Sequence, residues 1–140
     1  MDVPDIAAIS KVAKKHSVPL IVDSTVTTPY LLKAKDLGAD IVIHSTSKFI
    51  NGHGNSIGGV LVDCGTFNWA AERFPHLKEY YGKYGPLAFF AKVRRGVFRD
   101  FGASVIRAKC FLINVFLKDI PQNVRVNLVI LPARGIVKVP

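Results

Sequence analysis

Apolar residues recur at Ile6, Ile9, Val12 and Ala13, with Lys11, Lys14 and Lys15 mostly opposite, and this spacing predicts an amphipathic helix. Asp5 stands in its capping position, Pro4 breaks what precedes, and His16 and Ser17 end it. The period then changes. Residues 19–23 form a short continuous apolar run closing on Asp23, the pattern of a buried strand. Residues 24–29 read as a hydroxyl-rich loop, and residues 30–37 as a short helix ended by Gly38. Residues 41–44 predict a second buried strand, with Ser45, Thr46, Ser47 and Lys48 at its carboxyl end. A glycine-rich stretch over residues 51–56 leads into a third strand over 57–62.

Helix, strand, helix, strand is the rhythm of an α/β protein with a mainly parallel sheet. Ligands of such sheets sit beyond the carboxyl ends of the strands. Asp23 and the cluster from Ser45 to Lys48 both fall at such ends. Further along, residues 67–82 turn aromatic and irregular and read as a long ordered loop, its rings destined for core or interface. Residues 86–101 predict a helix with a basic face. Residues 110–117 are an apolar run of unassigned type, and residues 124–140 are β-branched but broken by Pro132, Gly135 and Pro140.

Composition bounds the class. The 140 residues suffice for one domain, and with 49% hydrophobic and 21% charged residues the chain is globular rather than disordered. The net charge of +9 raises a nucleic-acid or membrane partner. Its placement points elsewhere: the excess sits after Phe101, where Asp119 is the only acid, as expected of a solvated basic tail. No apolar run approaches the length of a membrane span, and the opening residues lack a signal-peptide pattern. Cys64 and Cys110 make no metal-ligand spacing, so free thiols in a reducing, cytoplasmic setting are expected.

A lysine amine, a carboxylate and nearby hydroxyls are what pyridoxal 5′-phosphate (PLP) requires. The amine forms an imine with the cofactor aldehyde, the carboxylate pairs with the pyridine nitrogen, and hydroxyls hold the phosphate. Lys48, Asp23, Ser45 and Ser47 supply these groups. Taken alone, the same residues fit a solvated lysine and a loop-capping aspartate better, since many α/β proteins carry such a pair after two strands.

Two motifs add to that reading. Residues 18–25, with Thr28, Pro29 and Tyr30, resemble the aspartate segment of the Cys/Met-metabolism PLP enzymes. Residues 38–50 resemble that family's lysine segment, at matching separation. Residues 51–60, with Gly54 where other branches usually have serine, are similar to the sulfhydrylase branch, as are Phe67, Asn68, Trp69, Phe74 and Pro75. The resemblance is strong over residues 3–77, faint to about residue 121, and absent beyond.

The resemblance implies a PLP fold-type I, aspartate-aminotransferase-like large domain over residues 1–103, with residues 104–140 a divergent basic tail. It implies γ-replacement on O-acetyl-L-homoserine by sulfide or methanethiol. Lys48 would carry the cofactor and shuttle protons; Asp23 would pair with the pyridine nitrogen; Ser45 and Ser47 would contact the phosphate; Thr25 would pack against the ring. Ser24 stands where the family more often has asparagine. Family enzymes are longer and form homo-oligomers, and their other segments supply further phosphate contacts and the substrate-binding arginine. Little or no turnover is therefore expected from these 140 residues by themselves. The alternatives are a non-catalytic remnant that pairs with a full-length homologue, or a cystathionine synthase or lyase of the same family. Neither a nucleic acid nor a membrane is expected as partner. His53, Arg134 and His44 receive no catalytic role, His44 being read as packing at its strand end.

Overall fold

The computed structural model describes residues 3–54, 57–70, 72–98, 127–131 and 137–138. Helix α1 spans Ile6–Lys15, and the Asp5 carboxylate accepts a hydrogen bond from the Ala8 N–H at 2.9 Å, the expected cap. Its buried residues are Ile6 and Ser10, whereas Ile9 and Val12 are exposed. The inward stripe is thus rotated from the one that hydrophobicity alone predicts. Ser10 explains the rotation: its hydroxyl donates to the Gly38 carbonyl at 2.9 Å, so a satisfied polar side chain sits inside.

Strand β1, Ile21–Asp23, pairs in parallel with β2, Ile41–Ser45. β1 is not the buried strand expected, because Ile21 is 53% exposed at the end of the described strand order. β2 is buried on both faces. Val42 packs with Ala34, Ala39 and Cys64 on one side, while Ile41 packs with Trp69, Leu77 and Ala88 on the other. The helix expected over residues 30–37 is the shorter α2, Thr28–Leu31, with turns following.

β3, Gly59–Asp63, runs antiparallel to β2. β4, Asn127–Leu131, and β5, Val137–Lys138, extend the sheet in antiparallel pairs. The mainly parallel arrangement expected is therefore met at β1–β2 only, and the described sheet is mixed. A parallel β2–β3 pair would need a crossover returning the chain across the sheet face. Here the chain reverses through a wide turn, Thr46–Ile50, and glycines at positive φ, Gly52 at 71° and Gly54 at 64°. β4 and β5 fall in the segment read as an unassigned tail, while the run at 110–117 lies outside the described residues.

The aromatic segment is core over its first part and helix over its second. Trp69 is 3% exposed, stacks on Phe89 with centroids 4.5 Å apart, and meets Phe67 at a tilt and Phe74 edgewise. Its indole N–H has no hydrogen-bond partner among the described residues. Helix α3, Lys78–Tyr84, follows, and then α4, Ala88–Lys92, continues into a wider helical turn, Val93–Phe98. The basic face expected there lies on tyrosines: Lys92 sits 5.0 Å from the Tyr80 ring centroid, and Arg95 sits 5.1 Å from that of Tyr84.

Candidate functional site

Because β1 and β2 are parallel, their carboxyl ends share one rim, and Asp23 stands in register with Ile43. Asp23 is exposed there. Hydrogen bonds from the Thr25 hydroxyl and from the Thr25 N–H (2.9 Å to Oδ1) hold its carboxyl below the ordinary aspartate value, and nearby His44 adds to the effect. Asp23 is therefore an ionised acceptor at neutral pH.

Thr25 faces two ways. Its N–H donates to Asp23, while its hydroxyl oxygen accepts the Ser45 N–H at 2.8 Å. Ser24, between them, is 3% exposed and bonded on every side. Its N–H donates to the Ile43 carbonyl at 2.9 Å, and its hydroxyl lies 2.6 Å from that of Thr27. Its carbonyl accepts the Thr28 N–H at 2.9 Å and the His44 ring Nδ1 at 2.9 Å. A carbonyl only accepts, so Nδ1 carries the proton. Burial holds the His44 pKa below the ordinary histidine value, against the opposing pull of Ser24 and Asp23. His44 is thus a neutral imidazole, packed at the strand end as expected.

Beyond Ser45 the wide turn is broken at Lys48, whose backbone lies at φ −91°, ψ −123°. The Lys48 carbonyl accepts the Gly52 N–H at 2.8 Å, while its side chain is exposed. Ser47 is half-buried; its hydroxyl accepts the Gly58 N–H at 2.8 Å and donates to the Gly58 carbonyl at 3.3 Å. Thr46 donates its N–H to the same carbonyl at 2.9 Å. The chain beyond the glycines is thereby tied to the turn that carries the lysine.

Hydrogen bonds join Asp23, Thr25 and Ser45 directly; Ser47 and Lys48 follow Ser45 on the turn and make no ion pair with Asp23. An ionised carboxylate at the end of β1, with an exposed lysine and two serine hydroxyls at the end of β2, fits the donor set of PLP. His53 is exposed and bonded to the Asn51 carbonyl at 2.8 Å. Asn55 and Ser56 lie outside the described residues. Sequence reasoning missed the roles of Ser24 and Gly58. The His44 bond to Ser24 spans twenty positions and left no local signal for the first.

The family model described as "Cys/Met metabolism PLP-dependent enzyme" matches residues 1–127. The chain is 42% identical to an O-acetyl-L-homoserine sulfhydrylase of Leptospira meyeri, over 75% of this chain and 28% of that protein. It is 41% identical to a homocysteine/cysteine synthase of Saccharomyces cerevisiae, over 72% of this chain and 26% of that one. Among solved structures, an O-acetylhomoserine sulfhydrylase of Wolinella succinogenes superposes with a TM-score of 0.72 at 46% identity, covering 84% of this chain and 33% of that chain. A Campylobacter jejuni structure holding N′-pyridoxyl-lysine-5′-monophosphate superposes with a TM-score of 0.72 at 30% identity, covering 84% and 32%. The chain thus spans between a quarter and a third of the length of these relatives.

Proposed function

The chain belongs to the Cys/Met-metabolism PLP-dependent enzymes, and from that premise we propose that its β1–β2 rim is the cofactor-binding part of an O-acetyl-L-homoserine sulfhydrylase. The reaction is γ-replacement: sulfide or methanethiol bonds to the γ-carbon, acetate leaves, and homocysteine or methionine results. PLP, when bound, supplies an electron sink for the substrate carbons. The observation that carries the reading is an ionised Asp23 at the same strand ends as the Ser45 to Lys48 turn.

The reading gives each residue a role. Asp23, kept charged by Thr25, pairs with the pyridine nitrogen. Lys48, exposed on a broken turn, attaches the cofactor through its amine. Once displaced by substrate, that amine takes and returns protons at the α- and β-carbons. Ser45 and Ser47 contact the phosphate, Ser47 exchanging its 3.3 Å bond to the Gly58 carbonyl for one to a phosphate oxygen, and Thr25 lies against the ring. No helix of the described residues is long and apolar enough to cross a membrane. The same reading takes the protein as a cytoplasmic homo-oligomer that binds neither nucleic acid nor membrane.

Purified chain titrated with PLP is expected to develop the visible absorbance of lysine-bound cofactor, and Lys48→Ala is expected to abolish it. Equal spectra from the two proteins would remove Lys48 from the site. Asp23→Asn should weaken binding while leaving attachment possible. Homocysteine formation from O-acetyl-L-homoserine and sulfide tests the reaction, with cysteine as the competing acceptor that would indicate a cystathionine synthase. Exposed Ile21 on β1 favours one alternative, pairing with a full-length homologue, which co-purification separates from the first reading.

A further inference from the structure

Three elements meet at the rim, and only backbone pairing between β1 and β2 is built into any parallel sheet. Two side chains add cross-strand bonds where that pairing ends. Thr25, after β1, takes the Ser45 N–H of β2 on its hydroxyl at 2.8 Å, while its own N–H is bonded to the Asp23 carboxylate at 2.9 Å. His44, on β2, gives its Nδ1 proton to the carbonyl of Ser24, the residue between Asp23 and Thr25, at 2.9 Å. One side chain reaches from the β1 loop to the β2 backbone, and the other reaches from β2 back to the β1-loop backbone. Both partners of the second are 3% exposed, so no water competes with it.

We propose that Thr25 and His44 are positioning residues that brace the two strand ends against each other and thereby fix where Asp23 stands relative to the Ser45 to Lys48 turn. This rests on the cofactor reading of Asp23 and Lys48 and adds to it a different role for Thr25. The brace works because each bond ends on a backbone atom adjoining a site residue. Ser45 leads into the turn that holds Lys48, and Ser24 adjoins Asp23. Rotation of either strand end about its own axis would break one bond and strain the other. Ser24 reinforces the arrangement: its N–H, carbonyl and hydroxyl are all engaged, so a pull from His44 is transmitted to its two neighbours rather than absorbed.

The chemistry selects informative variants. Thr25→Val keeps the shape and removes both the acceptor for the Ser45 N–H and the hydroxyl's bond to Asp23, whereas Thr25→Ser restores both; Ser45 exchange reads the first of these by itself. His44→Leu removes the donor, whereas His44→Asn places an amide N–H where Nδ1 lies. Amide exchange of Ser45 and Thr28 in the PLP-free chain reads the brace itself. The PLP dissociation constant, from the visible absorbance of bound cofactor, reads its consequence. Thr25→Val should speed Ser45 exchange and raise the dissociation constant by roughly tenfold, the scale of one hydrogen bond. Thr25→Ser should restore both. His44→Leu should act likewise on Thr28, with His44→Asn as its rescue.

Unchanged Ser45 exchange in a folded Thr25→Val chain would overturn the brace. So would an unchanged dissociation constant in both deletion variants, or a loss that the conservative variants fail to rescue. A parent chain that shows no bound-cofactor absorbance would overturn the cofactor reading alone, and the exchange measurements would still decide the brace. Should His44→Leu fail to fold, the Thr25 pair, at a half-buried position, carries the test.

Discussion

Gly38→Ala is expected to destabilise the chain by about 3 kcal/mol, and the structure separates that figure into parts. Gly38 has φ of +93°, a conformation L side chains rarely adopt, which costs an alanine about 1–2 kcal/mol. Its added Cβ would overlap the Ser10 hydroxyl and stand 3.0 Å from the Ser10 Cβ. Helix α1 must then shift or the Ser10 bond to the Gly38 carbonyl must break, a further loss of about 1 kcal/mol. Ser10→Gly removes the obstruction, leaving only the flexible Lys14 amine at 3.6 Å. In that background Gly38→Ala should cost the backbone part alone, so the two changes should couple by about 1 kcal/mol in a double-mutant cycle. The helix penalty of the new glycine cancels in the cycle. Urea unfolding followed by fluorescence of Trp69, the sole and buried tryptophan, measures each corner. A cost below about 0.5 kcal/mol for Gly38→Ala, or the same cost in both backgrounds, would refute the reasoning.

Two further outcomes follow from buried titratable groups. Burial raises the Asp63 pKa despite the Gly65 N–H on its Oδ1. The stability this group contributes is full below its unfolded value near 3.8 and is lost as pH rises through the folded value. Asp63→Asn, which keeps the acceptor, should therefore be more stable than the parent at pH 7 and lose that advantage near pH 3, as thermal unfolding at the two pH values would reveal. Burial pushes the Cys64 thiol up to about 11 from 9.0, so its thiolate population at pH 8 falls about a hundredfold. Peptide mapping after iodoacetamide treatment should find Cys64 unmodified in native protein and labelled in urea; native labelling at the urea rate would contradict the burial.

The legible parts of the chain were those in which chemistry and local pattern coincide. Asp5 capping and the Ile6 helix could be read because a cap is a local hydrogen bond. Asp23 and the Ser45 to Lys48 run could be placed at strand ends because an apolar run stops there. The orientation of β3 was not legible: a run such as residues 59–63 is apolar whichever way it lies, and the wide turn that reverses the chain shows no helical period. The Ser10 stripe was missed because a serine that donates to a distant carbonyl looks polar in a hydrophobicity pattern. Helix α3 was missed because Gly82 and three tyrosines weaken its propensity, while packing of Tyr80 and Tyr81 on the Trp69 cluster supports it. The bonds from Thr25 to Ser45 and from His44 to Ser24 each span twenty positions, and no local pattern carries such a pairing.

The sheet register has a consequence for the order in which the fold is made. Ile21 meets Ile41 across twenty residues, whereas Val60 meets Ile130 across half the chain. Closing the second loop costs more entropy, and the strand waiting for it is apolar. On the ribosome, the β1–β2 rim with Asp23 and the lysine turn can be complete while the outer edge of β3 still faces solvent. That edge becomes paired only after residues 127–131 emerge, and until then it is where nascent chains would associate with one another.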